Sequence, residues 1–144
     1  MTSTSKRTGR RVGMRWTELL NNPEAINATY HRDPPDLRAV RMHEVSLQVE
    51  GPTLKLRFDL PAYPDRPPRK WLTQKYDTVQ VELSFSGLKS ISLSGFRSEI
   101  SADVFLTGEG GVNVRATSPG FRLQADATTA FVSKLSAYAR RSAA

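Results

Sequence analysis

The 14 carboxylates and two histidines of this sequence are the groups from which acid–base or metal chemistry would have to be built, because the chain contains no cysteine. That absence excludes a thiol nucleophile, a disulfide framework, a Cys-based zinc site and an iron–sulfur cluster. A mononuclear metal site can be drawn from His31, Asp33, His43 and Glu44. The two histidines fall in different elements, however, without the ligand spacing such a site uses. His31 reads better as the end of a helix near a turn. His43 shares the inward parity of Val45 and Leu47 and reads as a hydrogen-bonded histidine at a strand end. Paired carboxylates for proton transfer would have to come from different strands. Glu44, Glu50, Asp59, Glu82, Asp103 and Asp126 alternate with apolar residues onto a wet face, with basic or polar neighbours such as Arg57 beside Asp59.

Gly108-Glu109-Gly110-Gly111 lacks dinucleotide-loop spacing and a following Lys-Ser/Thr pair, and it lies between two strands, so it reads as a hairpin turn. Ser92-Leu93-Ser94-Gly95 has Ser where the first Gly of a hydrolase elbow belongs. No set of nucleophile, base and orienting residue emerges. The expectation is a non-catalytic protein with no cofactor and no metal.

The elements that carry these residues change period part-way along the chain. Trp16, Leu19 and Leu20 fall at helical spacing, and Ile26 and Tyr30 repeat an offset of four after Asn22-Pro23, where Asn can cap and Pro can open a helix. Asp33-Pro34-Pro35-Asp36 ends this helical stretch. Val45, Leu47 and Val49 then alternate with polar residues. After Gly51-Pro52, so do Leu54, Leu56, Phe58 and Leu60, which predicts a hairpin. The alternation returns at 79–85, and shorter strands follow near 91–93, 100–106, 112–116 and 121–125. About seven strands joined by short turns predict an α+β fold dominated by an antiparallel meander, covered by the short N-terminal helices. Phe131, Leu135 and Tyr138 suit a closing helix, and the same residues suit a closing strand almost as well.

Length and charge narrow the class. At 144 residues the chain suits one domain, assigned to residues 15–141 behind a flexible basic tail at 1–14. The net charge of +7 resides at the termini: Lys6, Arg7, Arg10, Arg11 and Arg15, with Arg140 and Arg141, account for all of it. Residues 16–139 balance 14 basic against 14 acidic side chains. A basic tail on a neutral body is unlike the basic face of a duplex binder, so an accessory nucleic-acid-binding module that uses the tail is the second reading. No apolar run approaches membrane-spanning length and the first residues lack a secretory core, so a cytoplasmic protein without a membrane partner is expected.

The polar face could bind a partner. Lys55, Arg57, Lys89, Arg115 and Arg122 sit on strands, and the Pro-rich connection 61–75 carries Arg66, Arg69, Lys70 and Trp71. A connection stiffened by four prolines loses little entropy on docking, and interfaces favour Arg and aromatic anchors. Trp71 also suits a second role, packing against the sheet edge to hold the loop down.

Taken in order, Trp16-Thr17-Glu18-Leu19-Leu20, the Pro-containing turn before Leu37, the strand pair around Gly51, Arg66-Pro67-Pro68-Arg69-Lys70-Trp71, the strand from Val79 to Phe85 and Ser94-Gly95-Phe96 resemble the immunity protein 50 family over residues 16 to about 138. The resemblance implies a small cytoplasmic protein of a bacterial polymorphic toxin system, made beside a cognate toxin whose C-terminal domain it binds and neutralises. It places no binding residue.

Overall fold

The computed structural model describes residues 15–140; the tail at 1–14 and Arg141 lie outside the described residues. A 3₁₀ turn at Trp16–Leu19 and the helix α1, Glu24–Thr29, precede three strands: β1 (Val40–Gln48), β2 (Thr53–Asp59) and β3 (Thr78–Ser86). The helix α2, Arg69–Thr73, sits between β2 and β3, inside the Pro-rich connection. Five strands follow: β4 (Ser90–Ser94), β5 (Ile100–Thr107), β6 (Val112–Ser118), β7 (Phe121–Ala127) and β8 (Thr129–Tyr138). The class is α+β, mainly antiparallel sheet. The closing segment is a strand.

Strand order across the sheet is β4-β7-β6-β5-β1-β2-β3-β8. The expected meander holds within β1–β2–β3 and within β5–β6–β7. It does not hold for β4, which lies beyond β7, or for β8, which returns to β3. The reason is coverage of the apolar face. Strands β3 and β4, and likewise β7 and β8, belong to opposite ends of the order, yet only residues 87–89 and Thr128 respectively connect them. The sheet must therefore fold its two ends together. Backbone bonds seal the corner: Thr128 N–H donates to Ser86 O at 3.0 Å, and Lys89 N–H donates to Asp126 O at 2.7 Å. Gly87 turns there at φ +69, and a Cβ would meet the Cβ of Thr128 at 2.7 Å, so the corner requires glycine.

The halves β4-β7-β6-β5 and β1-β2-β3-β8 enclose one cluster of buried side chains, including Leu54, Leu56, Phe58, Val81, Leu83 and Phe85 from one half and Val114, Ala116, Leu123 and Ala125 from the other. Trp16, Leu20, Ile26 and Tyr30 from the N-terminal helical turns join it. Between the halves, β1 and β5 pair only through Val40–Met42 and Ile100–Ala102. Beyond Met42, β1 has a neighbour on one side only. Leu47, expected inside, is accordingly 53% exposed, and Val49, also expected inside, is 93% exposed because it stands past the end of β1 in the turn.

Asn22 does not cap α1; the cap position is Pro23. Its amide instead serves the outer edge of β8, accepting from Val132 N–H at 2.7 Å and donating to Val132 O at 2.9 Å. Trp71 is 5% exposed, and the backbone bonds Trp71 N–H to Pro68 O and Tyr76 N–H to Trp71 O, at 2.9 and 3.0 Å, fix the helical turn around it. Burial of so large a ring predicts that Trp71→Ala destabilises the fold by about 3–5 kcal/mol in urea unfolding. A loss below about 0.5 kcal/mol, the range of surface substitutions, would contradict this packing.

Candidate partner-binding groove

All strands run between two ends of the molecule. One end holds tight turns, and the other gathers the longer loops: the stretch before β1, the Pro-rich connection 60–77, residues 95–99 and the end of β8. The Pro-rich connection is tied to α1 and the residues after it. Tyr30 hydroxyl donates to Ala62 O at 2.6 Å, and Arg66 N–H donates to Thr29 O at 3.0 Å. The Asp65 carboxylate accepts from His31 N–H at 2.8 Å and Arg32 N–H at 3.3 Å. Slight desolvation pushes its pKa up, but backbone N–H groups, chiefly that of His31, hold it below the usual carboxylate value. Asp77 is held low in the same manner, first by Arg140 N–H and then by the Thr78 hydroxyl. These carboxylates act as backbone clamps.

Between the loops lies a groove of about 670 Å³, lined among others by Arg38, Arg41, Tyr63, Glu99 and Arg140, with Asp59 also in its wall. Asp59 was expected on the wet face. It does share the outer face with Arg57, but only 3% of it is exposed, because three side chains close over it. His43 Nε2 lies 2.9 Å from Oδ2, Tyr138 hydroxyl donates to Oδ2 at 2.7 Å, and Gln80 Nε2 donates to Oδ1 at 3.2 Å. His43 reaches this carboxylate because the β1–β2 register shifts between Met42 and Glu44. A bulge inserts one residue and reverses its face, so the inward parity expected for His43 is corrected to outward. Arg57 continues the network, donating to Gln80 Oε1 and to Glu44 Oε1, each at 3.0 Å.

The arginines of the groove differ. Among the described residues the ion pairs are Arg15–Asp33, His43–Asp59 and Arg57–Glu44, so Arg38, Arg41 and Arg140 keep their guanidinium groups unpaired. Tyr63 and Phe96, 37% and 63% exposed, stand on loops of this same end, and Leu72, 59% exposed, stands on α2 beside them. Unpaired arginines beside exposed aromatic and apolar groups match the composition of protein interfaces.

The immunity protein 50 family model matches residues 22–138. This chain belongs to the immunity protein 50 family. No match was found among curated proteins or solved structures.

In this family member, Arg66, Arg69 and Lys70 are exposed at the loop end, while Trp71 beside them faces the core. Lys89 Nζ is occupied by Gly110 O at 3.0 Å, and Arg115 lies over the Phe105 ring at 5.3 Å. Three of the four residues drawn as a metal site are spent separately, Asp33 on Arg15, Glu44 on Arg57 and His43 on Asp59, and His31 is held by its backbone N–H on Asp65. Gly108–Gly111 forms the β5–β6 turn, and Ser92–Ser94 lie in β4.

Sequence reasoning missed Arg38, Arg41, Tyr63 and Arg140. They come from three separate segments, and only the curl of the sheet assembles them. Desolvation, followed by the hydrogen bond to Asp59, pushes the Tyr138 phenol up to about 12. Its folded value exceeds its unfolded one, so the linked stability is complete below about pH 10 and is lost as pH rises toward 12. Asp59→Ala leaves three donors without their acceptor. It is expected to cost about 1–3 kcal/mol in urea unfolding and to lower the Tyr138 transition in a phenolate absorbance titration, with Tyr138→Phe as the reference that assigns it. An unchanged titration would contradict the Asp59 contact.

Proposed function

We propose that this protein neutralises a cognate bacterial toxin domain in the cytoplasm, by binding it through the loop end and without catalysis. Family membership over residues 22–138 is the observation that carries the reading. The groove supplies its chemistry. Three unpaired guanidinium groups offer planar forks suited to carboxylates, which they bind with more geometric specificity than lysines would. The toxin surface that fits presents Asp or Glu side chains toward Arg38, Arg41 and Arg140, flanked by apolar contacts with Tyr63, Leu72 and Phe96. Arg66, Arg69 and Lys70 extend the basic rim. Loops fixed by prolines and carboxylate clamps have little conformational freedom left to lose on docking.

A balanced body with cationic groups gathered at one end also bears on the toxin. Charge matching selects partners, so the bound face of the toxin is acidic, unlike the basic active face of a nuclease.

Co-expression with the toxin domain encoded beside this gene is expected to restore growth, and the purified pair is expected to associate in a titration. Reversing two groove charges in Arg41→Glu/Arg140→Glu should weaken binding by about 100-fold or more, given about 1.5–7 kcal/mol measured for close interfacial charge pairs. Removing residues 1–14 should leave the affinity within about threefold. Binding that is unaffected by the charge reversal but lost with the tail would overturn the groove assignment and favour the tail-based nucleic-acid module.

A further inference from the structure

We propose that β4 is a self-pairing edge, through which two copies of this chain join their sheets antiparallel about a twofold axis at Ser92. The two edges of the sheet are built differently. At β8, Asn21 N–H donates to Ala130 O at 2.8 Å and the Asn22 amide takes both backbone groups of Val132. A register shift interrupts the β3–β8 ladder between Glu82 and Leu83, and Lys134 adds charge. Bulges and lysines are the devices by which proteins close an edge to further pairing.

None of these devices guards β4. Its five residues, Ser90-Ile91-Ser92-Leu93-Ser94, carry no charge and no proline, and they pair with β7 without a register shift. Four of the five are exposed. Val104 N–H donates to Leu37 O, so the backbone groups of the even residues of β5 face β1. Carried across the unshifted β5–β6, β6–β7 and β4–β7 ladders, this alternation bonds Ser90, Ser92 and Ser94 to β7 and turns the backbone groups of Ile91 and Leu93 outward. Among the described residues, no backbone group besides those of β7 pairs with this strand.

The pattern of β4 is symmetric about its centre. Serines stand at both ends and in the middle, with one branched apolar residue on each side of Ser92. A twofold axis there sets Ile91 opposite Leu93 of the second copy and Ser90 opposite its Ser94. Ile91 and Leu93 pair with Ala125 and Leu123 of β7, both buried, so they lie on the core side of the sheet. Leu93 is 38% exposed because no strand lies beyond it. Pairing carries the apolar surface of both copies across the axis, and on the other face hydroxyl meets hydroxyl with no like charges opposed. An unrelated partner strand needs no such symmetry, whereas an isologous contact between copies does.

About four backbone hydrogen bonds and four apolar side chains fall short of the roughly 1,200 Å² of a standard interface, so the dimer forms in a concentration-dependent manner. No groove residue lies on β4, and both grooves stay open.

Sedimentation equilibrium of the full chain from about 10 µM to about 1 mM should show the mass rising from 16.0 kDa toward twice that value. Leu93→Pro removes an outward donor at a position an edge tolerates, and Leu93→Lys opposes a charge to an apolar neighbour. Each should return the mass to 16.0 kDa with the urea midpoint unchanged. Because the chain has no cysteine, Ser92→Cys introduces a single thiol whose Cα would lie about 4.5 Å from its symmetry mate in a non-hydrogen-bonded pair, within disulfide range. Mild oxidation should cross-link this variant at least about tenfold faster than Glu50→Cys in the β1–β2 turn, which lies off the β4 edge. A monomer at every concentration, a dimer that survives both edge variants, or equal cross-linking rates would each overturn the proposal. So would protection of residues 90–94 from hydrogen exchange that appears only when a toxin domain is added.

Discussion

The corner where Thr128 passes between Gly87 and Gly111 is the constraint on which the rest of the molecule depends. One residue separates β7 from β8, strands that belong to opposite halves of the sheet. A Cβ on Gly87 would overlap Thr128, and one on Gly111 would meet Ala127 O. With the corner closed, the two halves have no choice but to face each other. A single sheet thereby covers its own apolar surface, and the short helices fill the remaining openings instead of forming a layer.

Closing one corner determines what happens at the far end. The halves remain joined by three residues of β1 and β5, and the strands splay from that junction. Loops converge over the opening, and the arginines of two segments, 38–41 and the end of β8, come to line one groove. The wall of that groove needs a rigid anion to hold its own side chains in place. Asp59 supplies it, shielded from water by His43, Gln80 and Tyr138. A carboxylate already accepting three donors is spent on structure, which leaves Arg38, Arg41 and Arg140 to face outward.

Much of this was legible from alternation alone. The hairpin β1–β2, the strand β3 and the hairpins β5–β6–β7 follow from period-two runs broken by Gly and Pro, and the two helical turns follow from the spacing of Trp16, Leu20, Ile26 and Tyr30. Strand order was not legible, because a three-residue link after β3 is as compatible with a hairpin as with a crossing. His43 was misread because a bulge leaves no mark in a parity count. Asp59 was misread because its cover comes from Tyr138, 79 residues away. The groove depended on both, so its residues could not be assembled from the sequence. Trp71 was legible in its packing role, and the exposed basic residues around it are where the Pro-rich stretch placed them.

A chain that is neutral through its body need not be neutral at every face. Cationic groups gather where the loops meet, and the proposed function makes that end the toxin-binding surface. Hydrogen exchange on the full chain, with and without the cognate toxin domain that the proposed function requires, tests this most directly. The account predicts new protection at residues 38–41, 61–77 and 95–101, with the turns at 49–52 and 108–111 unchanged. Protection confined to those turns, or no protection in a complex that forms, would contradict it.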